Sequence, residues 1–228
     1  MILLIDADDT LFDFKRSERE SIIATAKKFG AADPEGAADI FTLINKACWL
    51  DVEKGIRTRE QIAVDRFREL KSRLSLDADA ETINEYYKAQ MRGSHHLLPG
   101  AGKFLRDLKL RGHSLYLITN GVEATQKSRL EGSGIFGFFD GVFISEAMGC
   151  RKPEREFFEL VGRQIKHFDP ADCYVIGDSL TADIKGANAA GLKSIWFNPT
   201  GKPLTADGVP THQARSYSDI LNILDSVA

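Results

Sequence analysis

The chain is poor in several things, and each shortage closes off a class of function. Only three of its 228 residues are cysteine, Cys48, Cys150 and Cys173. They are odd in number and lack C-x-x-C spacing. That excludes a zinc-ribbon site and a disulfide framework, and reads as reduced core or surface thiols in a cytosolic protein. Positive charge is not in excess: 30 Lys and Arg stand against 33 Asp and Glu, for a formal net charge of -3. A broad basic surface for a nucleic acid polymer is therefore excluded, while a small anionic ligand held locally is not. Long apolar runs are missing too. Met1 to Ile5 is apolar, but Asp6 ends it far short of the roughly 20 residues a membrane span needs. It also lacks the basic start and long apolar region of an export signal. There is no internal repeat and no low-complexity tract. The expectation is a soluble cytoplasmic protein, with no membrane partner.

At 43% hydrophobic residues, the chain can bury a substantial core, as one large domain or one domain with an insertion. Its most informative stretch is Ile2-Leu3-Leu4-Ile5-Asp6-Ala7-Asp8-Asp9-Thr10. A short apolar run reads as a buried strand. Its end sets closely spaced carboxylates at the lip of a sheet, where α/β proteins bind ligands. Like charges so close repel and are costly to bury unpaired. A divalent cation with oxygen ligands is the natural counter-charge, which points to metal-assisted chemistry on a substrate such as a phosphate.

From residue 14 to 92 no strand pattern is visible. Apolar spacing predicts helices over 13–30, 34–53, 58–74 and 82–91, with Thr58 as a cap. Strand–helix alternation returns after Pro99-Gly100. Helices are predicted over 101–111, 125–132, 153–166, 181–190 and 218–227, and strands over 114–118, 141–145, 173–176 and 193–197. The Gly-, Pro- and Thr-rich stretch 199–210 reads as a loop. Alternation with short links predicts an α/β fold, a Rossmann-like doubly wound parallel sheet with helices on both faces. The expected domains are an α/β core of 1–13 and 93–228 and an inserted all-helical cap of 14–92.

Polar groups follow four of the predicted strands: Asp6 and Asp8, then Thr119 and Asn120, then Lys152, then Asp178 and Asp183. In a parallel sheet the carboxyl ends open on one edge, so these distant residues can converge. Each alone is weak, because strand-end Asp residues often serve only as turn or helix caps. Lys152 is unusual in preceding a predicted helix, since cations are disfavoured at a helix N-terminus.

The set and its order resemble the haloacid dehalogenase superfamily, in its phosphatase branch. That pattern is an apolar strand then D-x-D-x-T, a strand then Ser/Thr, a Lys, and a strand then two acidic residues. Here it stands as Asp6-Ala7-Asp8-Asp9-Thr10, Thr119-Asn120-Gly121, Lys152-Pro153 and Asp178 with Asp183. The resemblance implies that Asp6 attacks phosphorus to form an aspartyl-phosphate. It implies that Asp8 protonates the leaving alkoxide and then activates water. For that work Asp8 must hold a proton when substrate arrives, so its pKa is expected to be the more raised of the two. Mg²⁺ would be bound by Asp6, the backbone carbonyl of Asp8, and Asp178. Asp183 would be either a further ligand or a residue holding metal-bound waters. Lys152, the Thr119 hydroxyl and the Asn120 backbone N–H would hold the phosphoryl oxygens. The acidic residue at position 8 argues against carbon–halogen cleavage, which needs no proton donor.

Within the predicted cap, Asn45-Lys46-Ala47-Cys48-Trp49 followed by Glu53-Lys54-Gly55 resembles the nucleoside 5′-monophosphatases that act on pyrimidine nucleotides. Asn45 and Lys46 are then candidates to bond a sugar or base, and Trp49 to stack on a base. A structural reading, with Trp49 in the cap core and Lys46 solvated, stays open. The expected partner is a small-molecule phosphate monoester, a nucleotide foremost, and the chain a monomer or homodimer. A phosphatase for phosphoglycolate or a sugar phosphate, a phosphomutase, and a non-catalytic binding protein are the alternatives. His95-His96 reads as a linker pair, the basic residues of 54–73 as a solvated helix face, and Phe136, Phe138 and Phe139 as packing under the sheet.

Overall fold

The computed structural model describes residues 1–206 and 208–227. The chain divides into two compact units, one of residues 1–13 with 97–228 and one of residues 14–96.

The first unit is built on a six-stranded parallel sheet. Its strands are β1 (Ile2–Asp6), β2 (Ser114–Thr119), β3 (Gly141–Ile144), β4 (Cys173–Gly177), β5 (Lys193–Phe197) and β6 (His212–Ala214), in the order β3-β2-β1-β4-β5-β6. Strand side chains alternate between faces, and β1 shows why both faces must be covered. Leu3 and Ile5 join a core with Phe104 and Leu105 of α5 (Ala101–Leu110) and Ile220 and Leu224 of α10 (Tyr217–Ser226). Ile2 and Leu4 join a separate core with Phe157, Phe158 and Val161 of α8 (Arg155–Gln164). A strand apolar on both sides folds stably only between two layers of helices. The doubly wound parallel sheet expected from sequence is the sheet observed.

Strand order explains where a ligand can bind. From β1 the chain winds outward to β2 and β3, then returns to place β4 on the other side of β1. The reversal leaves a crevice at the carboxyl ends of β1, β2 and β4. The pairing register sets Asp6 beside Ile118 and one residue beyond the Ile5–Ile176 pair.

The second unit is four helices, α1 (Phe14–Lys28), α2 (Pro34–Glu53), α3 (Arg59–Arg73) and α4 (Ala80–Gly93). Their starts are written in local chemistry. The Asp33 side chain accepts from the Gly36 N–H, Thr58 and Gln61 form a reciprocal capping box, and Asp79 accepts from the Thr82 N–H. Phe41, Phe67 and Tyr87 meet at the centre with ring centroids 5.0–5.3 Å apart. Arg66 departs from the solvated face expected for 54–73. It is buried, and its guanidinium lies 5.1–5.6 Å from all three ring centroids. A guanidinium is flat and weakly hydrated, so it can stack on rings where an ammonium cannot.

Other departures are local. The helix expected from Pro153 starts at Arg155, because residues 151–154 form a turn closed by the Glu154 N–H on the Arg151 carbonyl at 2.8 Å. The helix expected over 181–190 is split into a π-type turn at Leu180–Ile184 and a short α9 (Lys185–Ala189). The strand β6 and the four-residue helix α7 (Ser145–Met148) were not expected, being too short to carry a period. Helix α6 (Glu123–Gly132) follows β2. Phe136 is half exposed on a 3₁₀ turn, while Phe138 and Phe139 do pack on the core under the sheet. All three cysteines are buried and free. The described part of 199–210 carries no helix or strand.

Candidate active site

β1 delivers Asp6 to the sheet edge with its side chain almost wholly buried. The chain then folds back at once: the Leu11 and Phe12 N–H groups both donate to the Ala7 carbonyl, and the Asp9 N–H to the Phe12 carbonyl, each at 2.9 Å. The turn needs a left-handed residue, supplied by Asp9 at φ 59°; aspartate tolerates that region better than most residues. It brings the Thr10 hydroxyl to 3.0 Å from Asp6 Oδ2.

Lys152 arrives from the far side of β2. Its Nζ donates to Asp6 Oδ1 and to Asp183 Oδ1, each at 2.6 Å, and to the Ile118 carbonyl at 3.3 Å. Only 2% of the residue is exposed. Asn120 fixes its backbone from both sides, donating from Nδ2 to the Lys152 carbonyl at 2.8 Å and accepting from the Lys152 N–H at 3.0 Å. A residue expected to serve through its own N–H thus has a second task, holding the lysine loop against β2.

Beyond β4, Gly177 lets Asp183 tuck over the strand end. A Cβ there would lie 2.3 Å from the Asp183 carboxyl carbon. The π-type turn folds residue 183 back so that its Oδ2 accepts from the Ser179 N–H at 3.1 Å. Such turns recur at functional sites. Asp178 is held by its backbone, whose carbonyl accepts from the Trp196 indole N–H at 2.8 Å, and Lys202 approaches its Oδ2 at 3.3 Å. One oxygen from each of Asp6, Asp178 and Asp183 lies within 4.8 Å of the others.

This crowding has electrostatic consequences. Burial raises the Asp6 pKa well above its usual value, against the opposing pull of Lys152, and the neighbouring Asp183 and Asp178 raise it further. Burial, with Asp183 and Asp9 nearby, pushes Asp178 up to about 7. Lys152 is moved the other way from what burial alone would do, because Asp183 and Asp6 stabilise its charge. Asp6 is thus a carboxyl whose pKa burial raises, while Asp8 is only partly buried. Asp8 instead has both oxygens engaged, Oδ1 by Arg129 and Oδ2 by Gln126 Nε2 at 2.6 Å. Three hard carboxylate ligands converging on one point, two raised by burial and mutual repulsion, suit an oxygen-seeking divalent cation.

Thr119 is buried with its hydroxyl oxygen accepting from the Gly121 N–H at 3.0 Å and Gln126 Nε2 at 3.2 Å. Asp6, Asp8, Thr119, Asn120, Lys152, Asp178 and Asp183 therefore gather at one edge of one sheet. The residues expected in the helical unit are disposed differently. Asn45 is buried, its amide donating to Glu18 and accepting from Arg66 Nη1 at 2.8 Å. Lys46 is exposed, and Trp49 is partly buried against the helical core. His95 bonds the Arg92 carbonyl and His96 pairs with Glu20. Sequence reasoning missed Arg129, Gln126 and Lys202, and carried Thr10 only as part of its motif. For the first two the one available signal was their three-residue spacing on a helix.

A chain whose strand ends assemble this set belongs to the haloacid dehalogenase-like hydrolase family, which residues 1–191 match. Its relatives are similar along nearly the whole length. The pyrimidine 5′-nucleotidase PynA of Streptococcus pneumoniae is 37% identical over 223 residues, covering 98% of this chain and 94% of that protein. The pyrimidine 5′-nucleotidase YjjG of Escherichia coli is 29% identical, covering 97% and 96%. The crystal structure of the HAD-hydrolase YfnB of Bacillus subtilis, bound to magnesium, superposes with a TM-score of 0.92 at 34% identity, covering 98% of both chains.

Proposed function

We propose that this protein is a divalent-metal-dependent phosphomonoester hydrolase working through an aspartyl-phosphate, with pyrimidine nucleoside 5′-monophosphates as its substrate class. The observation that carries the chemistry is Lys152 Nζ placed 2.6 Å from both Asp6 and Asp183, with Asp178 completing the carboxylate cluster. The nucleotide class rests on the two nucleotidase relatives at near-complete coverage.

Asp6 is the nucleophile. Its carboxylate oxygen forms a bond to phosphorus as the bond from phosphorus to the ester oxygen breaks, and Asp8 supplies the proton to the departing alkoxide. In the second half, Asp8 takes a proton from water, the water oxygen bonds phosphorus, and the bond from phosphorus to the Asp6 oxygen breaks to free inorganic phosphate and Asp6. Lys152 holds positive charge on the nucleophile and on the phosphoryl oxygens, and Thr119 and the Asn120 N–H add hydrogen bonds to them. Asp6, Asp178, the Asp8 carbonyl and Asp183 are the groups that would hold Mg²⁺, with Asp183 bound directly or through water. The ion's contribution is positive charge between two anionic reactants. The helical unit is read as the cap, with Lys46 and Trp49 as its candidates for contact with the nucleoside and Asn45 as part of its framework. No described helix is long and apolar enough to cross a membrane; with three free cysteines, a cytoplasmic location belongs to the same reading.

The test is phosphate release with Mg²⁺ across UMP, dUMP, dTMP, purine monophosphates, phosphoglycolate and sugar phosphates. Fastest turnover of the pyrimidine nucleotides is expected. Turnover of sugar phosphates alone would overturn the nucleotide class and leave the phosphatase chemistry standing.

A further inference from the structure

A buried arginine is expensive unless its charge is met, and Arg129 is fully buried in the α/β unit. Its Nη1 meets Asp8 Oδ1, and its guanidinium lies 4.3 Å from the Phe12 ring centroid. Phe12 closes the same turn that carries Asp8, through its N–H on Ala7 and its carbonyl on Asp9. Arg129 thus grips that turn by charge at residue 8 and by stacking at residue 12. One helical step away on α6, Gln126 is 1% exposed. Its Nε2 donates to Asp8 Oδ2 at 2.6 Å and to Thr119 Oγ1 at 3.2 Å. Gly121 makes room for it, since a Cβ at that position would lie 2.2 Å from Gln126 Nε2.

From this geometry we infer that Arg129 and Gln126 are positioning residues of the phosphoryl transfer. Together they hold the Asp8 carboxyl in one orientation, and Gln126 ties it to the Thr119 hydroxyl. The proton donor and a phosphate-binding group are thereby set in a single frame carried by α6. Two donors on the two oxygens of one carboxylate define its plane, where a single bond would leave it free to turn. Proton transfer to a leaving group demands that definition, because a misplaced acid loses most of its effect. The inference rests on the assignment of Asp8 as acid and base above.

A leaving-group comparison tests it. The departing oxygen of p-nitrophenyl phosphate leaves without a proton, whereas that of UMP needs one. Single-turnover transfer with Mg²⁺ is measured for both, with another alkyl phosphate of the substrate panel in place of UMP if that is turned over faster. Arg129→Met is expected to slow transfer from UMP by roughly 30- to 100-fold and from p-nitrophenyl phosphate by under about 3-fold. Arg129→Lys should recover at least about a third of the loss on a logarithmic scale, because an ammonium keeps the charge but not the fork. Gln126→Leu, which leaves no buried charge behind, should show the same bias at about 10-fold and serves if Arg129→Met does not fold. In the double variant Asp8→Asn with Arg129→Met, the UMP rate should match Asp8→Asn alone within about 3-fold, as expected of residues acting as one unit.

Equal losses on both substrates, or additive losses in the double variant, overturn the inference. If Asp8→Asn itself shows no leaving-group bias, it is the acid–base assignment that fails. If Asp8→Asn shows the bias while Arg129→Met and Gln126→Leu do not, the assignment stands and the positioning role is wrong.

Discussion

Both units of this protein bury charge, and the way each does so separates function from support. In the helical unit, Glu18 and Arg66 are buried with the Asn45 amide linking them. Glu18 accepts from Thr42 at 2.8 Å and from Asn45, Asn45 accepts from Arg66 at 2.8 Å, and Arg66 reaches Asn84 at 3.5 Å. One acid meets one base, and the aromatic rings of Phe41, Phe67 and Tyr87 close around the guanidinium. In the α/β unit, Asp6 and Asp183 share the buried ammonium of Lys152 while Asp178 meets the half-exposed Lys202, and burial, with the neighbouring carboxylates adding to it, pushes the Asp6 and Asp178 pKa values up. A charge-matched network calls for no outside ion. An acidic surplus at a sheet edge leaves charge for an outside cation to meet, and a fold bears that cost where chemistry needs it.

The contrast can be broken most decisively at Asp6. Asp6→Asn should lower turnover by roughly 10⁴-fold or more, while thermal unfolding stays where it was or moves up, since one of the crowded carboxylates is neutralised. Loss of folding together with activity would show that the cluster is structural after all. The opposite signature belongs to Arg66. Arg66→Met should cost about 3–5 kcal/mol of unfolding free energy, because it strands Glu18 in the interior. Phosphate release at temperatures where the variant is folded should change by less than about 3-fold, as judged by denaturant titration beside steady-state assay.

Metal addition sharpens the contrast further. Millimolar Mg²⁺ should raise the melting temperature by a few degrees at pH 8, as any ligand of the native state does. The sign of its pH dependence follows from Asp178, whose pKa lies at about 7. Below that pH the carboxyl holds a proton that the cation must displace, so the shift should shrink by pH 6 and vanish in Asp178→Asn. The smallest effect lies in the helical unit's local chemistry. Thr58→Ala removes the cap of α3 and its reciprocal bond with Gln61, for about 1 kcal/mol of stability and no change in turnover. A turnover change there would mean that the helical unit's stability and the chemistry are not separable.

Much of this was readable along the chain, unevenly. Helix α2 runs from Pro34 to Glu53, where the sequence pattern placed it. Thr58 caps α3 as its residue type suggested. The strands stood out because each is a run of residues apolar on both faces. Strand β6 did not, because three residues with one buried position have no period to detect. Lys152 was noticed for its awkward place before a helix. The structure gives a different local reason, since the helix starts later and the lysine sits in a turn latched by Asn120. Arg66 was misjudged because a helix face full of charge looks the same in sequence whether one of its members points outward or in.

What the sequence determined alone is the inventory and its order: which strands, which polar residues at their ends, and a pattern specific enough to identify the family. Those follow from local rules of period, capping and turn chemistry that act over a few residues. What only the tertiary structure decided is which charges meet. The reach of Lys152 to both Asp6 and Asp183, the grip of Arg129 on Asp8 and the burial of Arg66 among three rings all join residues far apart along the chain. Coulomb energy and desolvation depend on distance and burial in space, and neither is written in the order of the residues.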